Sequence, residues 1–453
     1  MSVTTSDDIR TAVTRLLPGI RQDLEDLVRI ESVSADPARF SEVQRSAEAV
    51  ATLFRAEGFA SVDIVSADGG APAVIAHKPG PQGAPTVLLY AHHDVQPEND
   101  PADWDSPPYE PTERDSPSGR RLFARGAADD KAGIAAHLGA LRVFGDELPV
   151  SVTMFIEGEE EVGSESLPAL LSEHQEALRA DVIVIADSGN WDIGVPALTT
   201  SLRGLVRIDV EVRTLTHAVH SGMWGGLVPD ALMTLSRLIS SLHDDSGNVA
   251  VAGLHSGPAA DVVYPEERLQ AESGVNPGVK WIGSDSVVAR LWTKPALSIT
   301  GLDAPKVEGA SNTLVPSARA RISMRIAPGD TTQSAEAALR RHLEANVPWG
   351  AQLTMVTSDT GEATQIDATG PAYDAARAAF AEAWDGTEPV DMGVGGSIPF
   401  IAEFLEAFPE ASVLVTGVED PDTRAHGANE GLHLEEFAKV VLAEAFLLRN
   451  LAT

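Results

Sequence analysis

The stretch Thr86-Val87-Leu88-Leu89-Tyr90-Ala91-His92-His93-Asp94 decides the fold class, because a short apolar run passes directly into histidine and aspartate. Runs of this length and apolar character are typical of strands that are buried on both faces. Similar runs occupy residues 73–76, 150–156 and 181–186, and a helix-like segment occupies 131–144. Strands that alternate with helices predict an α/β fold with a largely parallel sheet.

The pattern changes after Arg203-Gly204. The next predicted elements follow the order strand, helix, strand, strand, helix, strand, which is the split ferredoxin-like α+β pattern. They cover residues 205–213, 229–243, 296–300, 318–327, 331–347 and 352–358. A Gly/Ser/Asp-rich insertion at 244–294 interrupts them. We therefore predict an α/β domain formed by 1–204 and 363–453, with an inserted α+β domain at 205–362.

The two ends of the chain are predicted to be helical. At the N-terminus we expect two helices separated at Pro18-Gly19, then a helix at 41–57 that ends before Gly58. After Gly370 the α/β pattern returns, with a last strand at 412–416 and a closing helix that begins at Leu434.

Composition excludes several classes of protein. The 453 residues include 33 basic and 67 acidic ones, a net charge of −34, which disfavours nucleic acids and anionic membranes as partners. Cysteine is absent, so disulfides and thiolate metal sites are excluded. No apolar run approaches the roughly 20 residues of a membrane span, and no signal-like segment opens the chain. We expect a cytoplasmic protein.

Polar side chains follow four of the predicted strands. In open parallel sheets, ligands bind outside the carboxyl ends of the strands, so these side chains are expected to meet in one crevice. They are His92 and Asp94, the acidic run Glu157–Glu161, Asp187, and His426 in the loop after 412–416. Asp129-Asp130, just before the helix-like segment, forms a fifth group.

Converging carboxylates repel each other and lose hydration, so they need a positive counterpart. Arg125 and Lys131 are the nearest bases in the sequence. Two divalent cations would balance Asp129, Glu161 and Asp187 together with one hydroxide. A shell of His, Asp and Glu without cysteine suits zinc, manganese or cobalt.

Each of these residues also has a purely structural interpretation. We expect His93 to have a purely structural role, because strand alternation places it on the opposite face from His92 and Asp94. The glutamates of 157–161 could form a solvated loop. Asp187 and Asp129-Asp130 could cap helices.

The sequence resembles the co-catalytic zinc peptidase family that includes carnosinase-type dipeptidases, glutamate carboxypeptidase and aminoacylase. The similar segments occur in the family's order over nearly the whole chain. They are Tyr90–Pro97, Arg125–Lys131, Glu157–Ser164, Ala186-Asp187, His220-Ser221-Gly222, Gly395–Pro399 and Ala425–Glu430.

The resemblance implies a role for each matching residue. His92 and Asp187 would bind one metal ion, Glu161 and His426 the other, and Asp129 would bridge both. The Asp129-Asp130 peptide bond would be cis. Asp94 would orient the site near His92, and Glu160 would be the general base.

For the inserted domain, the resemblance implies a lid and a dimer interface. His220 would reach the active site of the partner subunit and stabilise the oxyanion, and Arg325 would hold the substrate carboxylate. Weaker candidates for substrate contacts are Asn312, Thr313 and Ser397. Arg319 and Arg321 lie on the same face of the predicted strand as Arg325, so the sequence alone leaves open which arginine binds the carboxylate.

We therefore predict a homodimeric hydrolase with two divalent metal ions per subunit, most simply zinc, which cleaves dipeptides or small peptides with a free carboxylate. An N-acyl amino acid deacylase with the same machinery is the alternative. A metal-free binding protein on the same scaffold is a remoter one.

Overall fold

A computed structural model describes residues 5–396 and 399–452. Contacts within the chain divide it into two units. The first comprises Met1–Thr200, Ile366–Met392 and Pro399–Thr453, and the second comprises Ser201–Gln365 with a short segment that begins at Gly393. The predicted domain boundaries at 204 and 362 stay predictions.

The helices and strands of the described residues are numbered here in chain order. The α-helices are α1 (Ser6–Val28), α2 (Phe40–Ala56), α3 (Lys131–Phe144), α4 (Leu167–Glu173), α5 (Gln175–Leu178), α6 (Ser221–Trp224), α7 (Ala231–Ser240), α8 (Glu266–Ser273), α9 (Thr332–Asn346), α10 (Pro371–Ala383), α11 (Pro399–Ala407) and α12 (Leu434–Leu451). The strands are β1 (Ser61–Val65), β2 (Ala73–Lys78), β3 (Thr86–His92), β4 (Thr112–Ser116), β5 (Gly119–Phe123), β6 (Ser151–Glu157), β7 (Val182–Ile185), β8 (Ala197–Leu202), β9 (Gly204–Arg213), β10 (Val219–His220), β11 (Ala296–Asp303), β12 (Thr313–Leu314), β13 (Ser317–Ile326), β14 (Gln352–Gly361), β15 (Thr364–Gln365), β16 (Val390–Val394), β17 (Ser412–Val415) and β18 (Gly431–His433).

The central sheet of the first unit has the order β1-β2-β6-β3-β7-β17-β8. Its four middle strands, β6, β3, β7 and β17, are mutually parallel, while antiparallel pairs flank them. His92 pairs in register with Glu157 at the carboxyl ends of β3 and β6. The predicted α/β class with a largely parallel sheet is confirmed, and the parallel strands bring their polar ends to one edge.

Helix α3 follows the Asp129-Asp130 pair and is buried along nearly its whole length. It packs against α1 and α12 and contacts β3. A helix that is apolar all round needs such a covered position. Its burial fixes the N-terminal end of α3, and therefore the two aspartates, against the sheet.

The second unit contains a four-stranded antiparallel sheet in the order β11-β13-β9-β14. Helix α7 contacts β9 and β13, and α9 contacts β9 and β14. Alternate residues of β9, among them Val206, Ile208, Val210 and Val212, are buried in the core between sheet and helices. The ferredoxin-like α+β prediction is confirmed.

The predicted break at Pro18-Gly19 is wrong, because α1 continues through Pro18 without interruption. Proline removes one backbone hydrogen bond, but Ile9, Val13, Ile20 and Leu24 form one buried apolar face that spans both sides of it. The packing of this face outweighs the lost bond. None of the described helices has both the length and the apolar character needed to cross a bilayer.

Candidate metal centre

The two carboxylate oxygens of Asp129 face two different histidines. Oδ1 lies 3.1 Å from Nε2 of His92, and Oδ2 lies 3.0 Å from Nε2 of His426. The Asp129-Asp130 peptide bond is cis. Asp129 thus stands between an imidazole at the end of β3 and an imidazole in the loop after β17.

Two groups of potential ligands share Asp129. One is His92, Asp129 and Asp187, and the other is Asp129, Glu161 and His426. Within each group the ligand atoms lie within 4.8 Å of one another. The structure therefore brings together the five residues that the resemblance implies as ligands, in two groups that share Asp129.

Neighbouring polar groups hold these ligands in place. Nδ1 of His92 is 3.1 Å from the backbone oxygen of Asp94, which leaves Nε2 to face Asp129 and Asp187. The Asp94 carboxylate accepts hydrogen bonds from the backbone amides of Glu160 and Glu161. Asp94 therefore connects the β3 end to the acidic loop. Sequence reasoning missed Gln96, whose backbone and side-chain amides donate to Glu161 at 2.9 and 2.8 Å.

The acidic run after β6 is not a solvated loop. The Glu157 carboxylate is buried and accepts from the Tyr90 hydroxyl at 2.6 Å, and Glu159, also buried, accepts from backbone amides. Glu161 belongs to a ligand group. Within the described ranges, the Glu160 carboxylate accepts no hydrogen bond, and its Oε2 lies 4.0 Å from Nε2 of His92. Glu160 is thus the acid of this loop that remains open to a reactant.

The concentrated negative charge shifts the pKa values of the two histidines upward. Hydrogen bonds to Asp129 and Glu161 raise the pKa of His426 to about 11. Burial opposes protonation of His92, but hydrogen bonds to Asp129, Asp187 and Asp94 outweigh it and raise its pKa. Burial and the Asp129 charge raise the pKa of Glu161 to about 7. The site thus favours bound positive charge.

The two bases nearest in sequence are engaged elsewhere. Nζ of Lys131 donates to the backbone oxygens of Leu27 and Ile30, and burial lowers the pKa of Lys131 to about 7. NH1 of Arg125 pairs with Glu430 at 2.6 Å, and both side chains are buried. Neither base is placed to neutralise the ligand groups.

Sequence reasoning also missed the role of Glu430. Besides Arg125, its carboxylate accepts from the backbone amides of Gly126, Ala128 and Asp129 at 3.1, 2.9 and 3.2 Å. NH2 of Arg125 donates to the backbone oxygen of Gly427, next to His426. This Arg125–Glu430 clamp fixes the backbone on both sides of the Asp129–His426 contact. The only indication of this contact in the sequence was that Arg125 and Glu430 both lie within segments that resemble the peptidase family.

In the second unit, His220 lies near two other predicted residues. It pairs with Thr313 between β10 and β12, and the backbone oxygen of Asn312 accepts from Ser221 at 2.9 Å. Nδ1 of exposed His220 accepts from the amide of Gly222 at 3.0 Å, so in the neutral ring the proton is on Nε2. Ser397 lies outside the described residues.

The three arginines of β13 differ in their ion-pair partners. Arg321 forms two hydrogen bonds with Asp209 at 2.6 and 2.9 Å, and Arg319 lies 3.3 Å from Asp303. Half-buried Arg325 has no anionic partner at ion-pair distance in the described part of the chain. Burial and nearby Arg207 lower its pKa. Arg325 is the arginine left to receive an added carboxylate.

The family model of Peptidase family M20/M25/M40 matches residues 88–450. The chain belongs to this family of peptidases. The match includes all five residues of the two ligand groups and the second unit.

Curated relatives of this M20/M25/M40 peptidase extend over most of its length. A cysteinylglycine-S-conjugate dipeptidase of Corynebacterium striatum is 36% identical over 374 residues, which are 81% of each chain. A Beta-Ala-His dipeptidase of Homo sapiens is 30% identical over 448 residues, 91% of this chain and 86% of the relative. The solved structure of the dipeptidase Dug1p from Saccharomyces cerevisiae has a TM-score of 0.79 at 24% identity and covers 100% of this chain and 99% of that one.

The Arg125–Glu430 clamp can be tested with Glu430→Gln. Removing the charge leaves Arg125 buried without a counter-ion, so we expect a clearly lower melting temperature and about a 10- to 100-fold weaker affinity for zinc. Calorimetric zinc titration and thermal melting measure the two effects. The exposed Glu410→Gln is the matched control. Unchanged zinc affinity in a less stable Glu430→Gln protein would show that the clamp serves stability alone.

Proposed function

We propose that the chain is a dipeptidase that hydrolyses its substrates with two divalent metal ions per subunit. The observation that carries the proposal is the Asp129 carboxylate, which offers one oxygen to each of two ligand groups. Shared carboxylates of this kind suit paired metal ions. The names of the curated relatives support dipeptides as the substrate class.

The donor set fits zinc, with manganese or cobalt as alternatives. Each group combines one imidazole with two carboxylates and contains no sulfur ligand. Because Nδ1 of His92 contacts a backbone oxygen, Nε2 is the ring nitrogen that would bind a metal ion. When bound, such ions polarise the scissile carbonyl and acidify an attacking water molecule.

Glu160 would act as the general base. Its carboxylate would take a proton from the attacking water as the C–O bond forms, and would then pass it to the nitrogen of the leaving amine as the peptide C–N bond breaks. Its carboxylate accepts no hydrogen bond from the described residues, which supports this role, and Asp94 would hold its backbone in position.

Two residues of the second unit would bind the substrate. The Nε2–H of His220 is suited to stabilise the oxyanion, and Arg325 to hold the substrate carboxylate in its planar fork. Asn312, Thr313 and Ser397 stay weaker proposals for substrate contacts.

We further propose a homodimer formed through the second unit, with His220 acting in the active site of the partner subunit. This unit exposes large apolar side chains close together in sequence, among them Met223, Trp224 and Leu227, which are 74%, 45% and 79% exposed. Exposed apolar patches are typical of protein interfaces.

The dipeptidase proposal predicts that the protein loaded with zinc, manganese or cobalt hydrolyses dipeptides and that a chelator abolishes the activity. The measurement is a panel of dipeptides beside N-acetyl and N-succinyl amino acids. Activity on the acylated compounds alone would establish the deacylase alternative. Failure to bind any of these metals would instead favour a metal-free binding protein.

Glu160→Gln is expected to retain two metal ions per chain and to lose about 10²–10⁴-fold in kcat, because a general base contributes about this factor. Elemental analysis gives the metal content and steady-state kinetics give kcat. Glu165→Gln, an exposed acid five positions on, is the control and should retain full activity. A fully active Glu160→Gln enzyme would refute the role.

The dimer proposal predicts that Met223→Ser with Leu227→Ser yields monomers in light scattering, because both changes remove apolar surface from the interface. Since His220 would then lie outside the partner's active site, kcat should fall while metal content stays unchanged. Phe40→Ser, an exposed apolar residue of the first unit, is the control. A wild-type protein that is already monomeric would contradict the proposal.

A further inference from the structure

Glu419 is an acid near the candidate metal centre that belongs to neither ligand group. A parallel bridge between Gly189 and Glu419 continues the register in which β7 pairs with β17. The backbone amide of Asn190 donates to the oxygen of Glu419 at 2.8 Å, and the amide of Glu419 donates to Ser188 at 3.3 Å. These bonds fix Glu419 at the sheet edge that carries Asp187.

Glycine residues pack closely against this part of the chain. Gly189, two residues after Asp187, lies opposite Glu419 in the bridge. The charges of Asp129 and Asp187 act on the Glu419 carboxylate, which places it near the ligand groups. A Cβ atom at Gly417 would lie 1.6 Å from the backbone oxygen of Ser188, and one at Gly189 would lie 3.2 Å from Cβ of Glu419. The backbone of Ser188 therefore packs directly against Gly417, and a side chain at position 189 would press against Glu419.

The Glu419 carboxylate is unpaired among the residues that the structure describes. Across residues 5–396 and 399–452, no hydrogen bond or ion pair involves its oxygens, although the side chain is half-buried. Burial and the carboxylates of Asp129, Asp187 and Glu430 raise its pKa well above the ordinary value. A carboxylate in such surroundings is costly unless a cationic group meets it.

We propose that Glu419 receives the α-ammonium group of the substrate's amino-terminal residue. The inference rests on the proposed dipeptidase function and names the feature by which the site would select its substrates. In a dipeptide this ammonium group is bonded to the carbon next to the scissile carbonyl. The side chain that accepts this ammonium group must therefore lie close to the ligand groups. Glu419 meets this condition because it lies near Asp187. An N-acyl amino acid has no charge at this position.

The test compares alanyl-glycine with propionyl-glycine, which has the same skeleton without the amine. In Glu419→Gln, we expect kcat/KM for alanyl-glycine to fall about 10- to 100-fold, chiefly through KM, since a hydrogen bond to a charged group is worth about this factor. Kinetics with propionyl-glycine, or its inhibition constant if turnover is too slow, should change less than about twofold. Glu419→Asp should restore part of the preference. Glu410→Gln is the control.

Three outcomes would overturn the inference. Equal losses for both compounds, or a loss of metal from Glu419→Gln, would show that Glu419 acts on the metal ligands. An unchanged KM for alanyl-glycine would show that it makes no contact with the amine.

Calorimetry separates this inference from the dipeptidase proposal. Binding of both compounds is measured to zinc-loaded Glu160→Gln protein, with and without Glu419→Gln. A preference for alanyl-glycine that disappears with Glu419→Gln supports the inference even if the wild type hydrolyses no dipeptide, a result that would refute only the proposed function. The absence of any preference would refute the inference alone.

Discussion

The contact of one carboxylate with two imidazoles is the constraint on which the rest of the site depends. Asp129 can face His92 and His426 together only if the backbone before α3 and the loop after β17 are held at fixed positions. Acids this close repel one another, and the bases nearest in sequence are engaged elsewhere, Arg125 with Glu430 and Lys131 with backbone oxygens. Such an arrangement is tolerable when cations occupy it.

Much of the fold and the convergence of polar side chains at one sheet edge could be predicted because both follow from local patterns. Apolar runs identify β3, β6, β7 and β17, and parallel strands necessarily place their carboxyl ends at one edge. His92 follows directly at the end of such a run, and alternation separates it from His93, whose Nε2 is 2.8 Å from the backbone oxygen of Pro72.

Other features depend on partners that no local pattern reveals. Glu430 holds the backbone of Asp129, which lies far away in the sequence, through bonds formed only in the folded chain. The arginines of β13 look equivalent in sequence. Only the structure shows that Asp209 and Asp303 pair with Arg321 and Arg319, while Arg325 has no ion-pair partner among the described residues. The continuity of α1 through Pro18 likewise reflects tertiary packing that outweighs a local preference.

The acidic side chains of the site differ in their hydrogen-bond partners, and this difference distinguishes their roles. Asp94 and Glu430 accept bonds from backbone amides, so their charges are already used to hold loops in place. Glu161 accepts hydrogen bonds from the amides of Gln96, and its carboxylate also faces His426 across one of the two ligand groups. In the described chain, Glu160 and Glu419 have no such donors. We therefore propose that Glu160 is available to take a proton from the attacking water, and Glu419 to meet the ammonium group of the substrate.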